Sequence, residues 1–252
     1  MKGYIVDVES KRMSDATGIV YSISLMFVEY TVNKKWTSHG RGIDPIYESS
    51  IHSRHEALQT IFITEAIEDP CLSEDVEIVR KLGQTIVDTV RAGGTMKCMT
   101  FADAMRYILG VMHESTWFGH SIDRDIQFLV DTDARYKTRL FRKDPLAYPD
   151  TCCILPEWSL IAKVCTQQII TRRCPKFMEK YLHAGGASAR LVDLVSFVTG
   201  RQQHHTSAQD VLDTASVLQR AFEDDRFQLE VGKSYMTCIP LRTSSLSCQK
   251  NL

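Results

Sequence analysis

The chain has 252 residues, 44% of them hydrophobic, which suits one elaborated domain or two small ones with a real core. A net charge of −1 excludes a surface that is basic throughout, so any polyanion site must be a local patch. Eight cysteines without a C-x-x-C pair, and no apolar run near ~18 residues, argue against a zinc finger, a disulfide framework and a membrane span.

The first segment, "GYIVDVES", predicts a buried strand over Tyr4 to Val8. Side chains alternate along a strand, so Asp7 and Glu9 share a face with Ile5 and have no basic residue beside them. Two such anions stay ionised together only beside positive charge, and a bound cation is the usual source. A solvated strand-to-loop junction is the other reading of the same residues. MKGYIVDVES also lacks the apolar stretch of a secretion signal, which predicts an intracellular, non-secreted protein with reduced thiols.

A polar loop, "SKRMSDATG", follows, and then a long strand, "IVYSISLMFVEYTV". "KKWTSHGRGI" predicts its hairpin partner, with the turn at Asn33-Lys34. Three adjacent antiparallel strands open a mixed sheet. In "SEDVEIVRKLGQTIVDTVRAGG" the apolar positions 76, 79, 82, 86, 87 and 90 define one helical face, closed by Gly93-Gly94. "TFADAMRYILGVMHES" predicts a helix with Thr100 as N-cap and Asp103 three residues on. "TWFGH" predicts a short strand running into a helix with Ile122, Ile126 and Leu129 on one face.

"RYKTRLFRK" carries five basic residues and no acidic one, and "YPDTCCIL" reads as a further strand. "LVDLVSFVTG" predicts a helix closed by Gly200. The last strong helix is "TSAQDVLDTASVLQRAF", with Ala208, Val211, Leu212, Ala215, Leu218 and Phe222 at helical spacing. We expect one domain over residues 1–232, with an insertion within 50–100, and a mobile tail over 233–252.

Two later segments bear on the Asp7/Glu9 pair. In "FGHSIDRD" Asp125 opens a helix, and in "HHTSAQD" His205 stands five residues before Asp210 at the start of the last helix. With "DVE", these motifs resemble those of the DEDDh 3′→5′ exonucleases, the His-containing branch of the ribonuclease H-like superfamily. The resemblance covers residues 2–220 apart from the insertion, and includes "RLVDLVSFVTG" ahead of the third motif. The Tyr branch of the family would place its tyrosine at position 206, which is Thr206 here. The chain departs from the family pattern at Ser10, Ser121 and Arg124.

The resemblance implies a ribonuclease H-like α/β fold, a mixed sheet of about five strands with one antiparallel, flanked by helices. It implies release of nucleoside 5′-monophosphates from a nucleic acid with a free 3′ end. Two Mg²⁺ or Mn²⁺ ions would be held by Asp7, Glu9, Asp125 and Asp210, with His205 as general base. Asp123 and His204 lack the family spacing, and His120 is expected to shape its turn. Ser207-x-x-Asp210 is, on its own, also a helix-capping pattern. Arg135, Lys137, Arg139, Arg142, Lys143, Arg172, Arg173 and Lys176 are candidate phosphate contacts, or else a solvated basic surface. Trp117 and Phe118 are candidates for base stacking, with core packing as their alternative. A non-catalytic binding or scaffold member of the same fold, a nucleotide phosphohydrolase and a protein partner or homodimer are the other readings.

Overall fold

The computed structural model describes residues 2–14, 17–39, 42–112, 115–138, 140, 163–203 and 205–225, without the side chains of 2, 30–56, 112, 163, 173 and 225. The expected strand at 148–155, the tail from 233, and His204, Arg139, Arg142 and Lys143 lie outside these residues, as does the Arg173 side chain. Among the described helices none is long and apolar enough to cross a membrane. Among the described cysteines, Cys71, Cys98, Cys165 and Cys174, none forms a disulfide.

The chain is α/β, with a six-stranded mixed sheet flanked by helices. β1 (Lys2–Arg12) pairs antiparallel with β2 (Gly18–His39), which pairs antiparallel with β3 (Gly42–Ile63). β4 (Thr95–Met99) runs parallel to β3, β5 (Thr116–Gly119) parallel to β1, and β6 (Lys163–Cys165) parallel to β5. The order is β4-β3-β2-β1-β5-β6, so among the described strands only β2 runs against the rest. Among the described residues the sheet therefore has six strands where about five were expected. β4 and β6, three to five residues long, are too short to carry a periodic signal.

The hairpin turn is not at Asn33-Lys34. Asn33 pairs with Glu48 and Lys34 with Tyr47, and pairing continues to His39 opposite Gly42. Asn-Lys is a weak turn signal, because a two-residue hairpin turn favours glycine after asparagine, and the strand pairing on both sides overrides it.

Strand alternation divides the core between the two faces of the sheet. Val6, Val8, Ile23 and Leu25 pack with Phe101, Met105, Ile122, Ile126 and Leu129 on one side. Ile5, Met26, Val28 and Leu58 pack with Phe177, Leu194, Val211, Ala215 and Leu218 on the other. α4 (Phe101–Met112) and α5 (Ile122–Tyr136) thus cover the first face. α7 (Pro175–His183), α8 (Leu191–Thr199) and α9 (Ser207–Asp225) cover the second. The short helices α1 (Thr64–Glu68) and α2 (Pro70–Ser73) lead into α3 (Val76–Arg91), and α6 (Thr166–Arg173) precedes α7. The Thr100 box forms as its sequence suggests: Asp103 N–H donates to Thr100 Oγ1 at 3.2 Å. Gly200 ends α8 at φ +68°, a conformation that favours glycine.

α3 is turned opposite to its sequence pattern. Ile78, Thr85, Asp88 and Thr89 face inward, while Val76, Val79, Ile86, Val87 and Val90 are exposed. Ile78 and Leu82 reach the apolar core, while the rest of its inner face joins a hydroxyl network. Thr89 bonds Thr60 at 2.8 Å, Thr60 bonds Ser24 at 3.0 Å, and Ser24 and Ser22 both bond Ser207 of α9 at 2.9 and 3.0 Å. All five hydroxyls are fully buried. Removing one leaves its neighbours short of partners, so Ser207→Ala is expected to cost about 1–3 kcal/mol of stability, read as a lower urea midpoint.

Candidate metal centre

β1 delivers Asp7 and Glu9 on the α9 side of the sheet, as strand parity with Ile5 requires. Asp210 stands in the first turn of α9, and Asp125 in the first turn of α5. Both helices therefore bring the positive ends of their dipoles towards this acidic corner, offsetting part of its repulsion. Thr206, not Ser207, caps α9: its Oγ1 accepts from Gln209 N–H at 3.2 Å and donates to Asp88 at 2.9 Å. Ser207 is committed to the sheet hydroxyls, so Asp210 is free of the capping role that its spacing from Ser207 suggests.

Asp7, Glu9 and Asp210 each offer a carboxylate oxygen within 4.8 Å of the others. Asp125 is not part of that tight group, yet it raises the Asp7 pKa through its charge and is only 7% exposed. Asp123, two residues earlier, is exposed. His205 is also exposed and makes no hydrogen bond or ion pair with the described residues. His120 is held in its turn by Thr166 Oγ1 at 3.2 Å and the Ala189 carbonyl at 3.0 Å. Burial pushes the His120 pKa down, partly offset by that carbonyl.

The site includes residues that sequence reasoning missed. Lys81 Nζ of α3 lies 3.1 Å from Glu9 Oε2, so the acid pair does have a basic residue beside it. Lys81 is distant in sequence and sits on a helix whose apolar pattern misreads its orientation, so no local signal marks it. Tyr21 Oη donates to the same oxygen at 3.1 Å. Glu9 pairs with Ser22 and Ser10 with Val20, which leaves Tyr21 as the extra residue of a β-bulge. Such bulges re-aim side chains next to functional sites. Gln203 Nε2 donates to Asp210 at 2.5 Å.

Of the basic candidates, Arg135 is held by Asp69 at 2.9 Å, while Lys137, Arg172 and Lys176 are exposed. Trp117 and Phe118 are buried, at 1% and 4% exposure, and pack in the core.

Burial raises the Asp7 carboxyl well above the carboxylate range, with Asp210, Asp125 and Glu9 adding to it and Lys81 opposing them. Burial likewise raises Asp210, with Glu9 adding and the Gln203 bond opposing. Burial carries Asp125 up to about 8, opposed by Arg124 and reinforced by Glu9 and Asp123. An acid raised in this way keeps its proton in the fold where the unfolded chain has already lost it. Its folded form is therefore least penalised below the ordinary value of 3.8 and loses stability as pH rises towards about 8. In metal-free buffer, Asp125→Asn should remove that loss, gaining most over wild type in urea midpoint near the upper end of the window. An equal gain at both ends would contradict the assignment.

The donors suit a hard divalent cation, because every one is a carboxylate oxygen. Asp125 Oδ2 is buried without a hydrogen-bond partner, a cost that a cation would relieve. The residues present thus fit Mg²⁺ or Mn²⁺. No protein-family model matches the chain, and no curated protein matches it.

Proposed function

We propose that this chain is a metal-dependent 3′→5′ exonuclease of the DEDDh type, acting on nucleic acid with a free 3′ end and releasing nucleoside 5′-monophosphates. One observation carries the reading. The Asp-x-Glu of the first strand and the first-turn Asp of the last helix come from opposite ends of the chain, yet meet within 4.8 Å. The sheet order, with β2 alone reversed among the described strands and β1 central, is compatible with a ribonuclease H-like fold.

Asp7, Glu9 and Asp210 would hold one cation, and Asp7 with Asp125 a second. Divalent ions bound there supply an activated water and neutralise charge at the scissile phosphate. His205, carried by the segment leading into α9, takes the proton of the attacking water, a general-base role for which an imidazole ring nitrogen is suited. Exposed Lys137 and Arg172 are available to the phosphate backbone, whereas Arg135 is engaged with Asp69. The test is digestion of 5′-labelled DNA and RNA strands with Mg²⁺ or Mn²⁺. Stepwise shortening that EDTA abolishes is the expected result, and equal cleavage in EDTA would sink the reading.

A second reading, a non-catalytic nucleic-acid-binding member of the same fold, is favoured by the Lys81–Glu9 pair. A lysine that permanently neutralised Glu9 would remove the need for a cation.

A further inference from the structure

Glu9 Oε2 accepts from both Tyr21 Oη and Lys81 Nζ, each at 3.1 Å. The two donors differ in what they can do next. Tyr21 is 1% exposed and locked in a bulge, whereas the Lys81 side chain is 25% exposed, on a flexible stem with water to move into. We propose that Lys81 is the resident counter-cation of the acid cluster: it neutralises Glu9 in the cation-free protein and is displaced when a divalent ion binds, while Tyr21 stays and keeps Glu9 oriented. This rests on the metal-site reading above.

The physical reason is a comparison of two opposed effects. A dication beside Glu9 repels a lysine ammonium with twice a unit charge at near-contact range, in a corner where water screens poorly. Against that stand the lysine's attraction to Glu9, which the dication takes over with twice the charge, and one orienting hydrogen bond, which Tyr21 also supplies without any charge. Repulsion wins, so the ammonium leaves and the phenol remains. Outer partners of metal-ligating carboxylates typically contribute about 10–100-fold in affinity.

Calorimetric titration with Mn²⁺ tests this on wild type, Lys81→Met, Lys81→Arg and Tyr21→Phe. Lys81→Met should bind Mn²⁺ at least about tenfold more tightly, since its site no longer holds a competing charge. Lys81→Arg keeps the charge and should bind as wild type does. Tyr21→Phe should bind about 10–100-fold more weakly. Without metal, Lys81→Met should melt below wild type, because Glu9 has lost its partner. Equal or weaker Mn²⁺ binding by Lys81→Met, or unchanged metal-free melting, overturns the counter-cation role. Unchanged affinity in Tyr21→Phe overturns the orienting role. Binding by none of the four proteins overturns the metal-site reading itself.

The outer face of α3 carries a separate pattern. Val76, Val79, Ile86, Val87 and Val90 are 82%, 51%, 44%, 46% and 59% exposed, an unusual share of apolar surface for one helix. Gly83 lies among them, exposed, and a side chain there would meet nothing within 4 Å. Four of these five positions are symmetric about Gly83, with Val76 mirrored by Val90 and Val79 by Val87, while Ile86 is mirrored by Arg80. A two-fold interface needs a surface that fits its own reverse. We infer that two copies of this chain pair antiparallel through α3, crossing at Gly83, where the missing side chain lets the backbones approach. The same alignment opposes the two helix dipoles. Lys81 turns away from this face towards Glu9.

Sedimentation velocity over a concentration series should show a wild-type dimer. Val79→Lys and Val87→Lys, both at exposed positions, should be monomers with wild-type melting. A double variant Val76→Cys/Val90→Cys should cross-link on mild oxidation more than either single variant. A wild-type monomer at every concentration, as when residues 226–252 cover the face, overturns the inference. So does a dimer that survives both lysine variants.

Discussion

Asp7→Asn is expected to abolish 3′→5′ cleavage while the protein stays folded and at least as stable as wild type. Asp7 is the residue on which Asp210, Asp125 and Glu9 all press, so it is the one best placed to share its oxygens between two cations. A metal-bound site supplies several kcal/mol of stabilisation to the transition state, and each ~1.4 kcal/mol is tenfold in rate. The loss should therefore reach about 10³-fold or more. The neutral amide also removes like-charge repulsion from a buried corner, which is why the metal-free melting temperature should hold or rise. Asp210→Asn should behave alike, with Gln203 losing a charged acceptor. A variant that cuts at near wild-type rate would mean that the residue is not a ligand.

His205→Ala should lose about 10²–10⁴-fold in turnover, the usual contribution of a general base. Mn²⁺ affinity and melting should not change, because the exposed imidazole bonds nothing among the described residues. His204→Ala should alter the rate only a few-fold. If His204→Ala is the inactive one, the register of the third motif is off by one residue. Loss of rate in His205→Ala without loss of metal would also separate the two readings of the fold, since a scaffold has no turnover to lose.

Much of the sheet was legible because its strands carry strong period-2 signals. Ile5 against Val6 and Met26 against Leu25 divide the two faces as alternation demands. α4, α5, α8 and α9 were legible from their caps and apolar spacing. α3 was not. Val76, Val79, Ile86, Val87 and Val90 point to solvent and its threonines inward, because the core beneath those threonines is a hydroxyl network built on Ser22, Ser24 and Ser207, while Ile78 and Leu82 reach the apolar core. That inversion hid Lys81. Two serines on one face of an otherwise apolar strand were the available signal, since buried hydroxyls need partners. The bulge at Tyr21 was equally silent, because a register shift depends on the partner strand. Of the acids, Asp7, Glu9 and Asp210 come together, and Asp125 lies near enough to act on Asp7 through its charge.

The metal centre is the claim on which everything else depends, and crystals grown without chelator and soaked in Mn²⁺ test it most directly. Anomalous difference maps should show two peaks about 3.5–4 Å apart, both contacting Asp7, one also Glu9 and Asp210, the other facing Asp125. In those crystals Lys81 Nζ should have left Glu9. No peak at Asp7, with Lys81 still bonded to Glu9 at saturating Mn²⁺, would contradict the account.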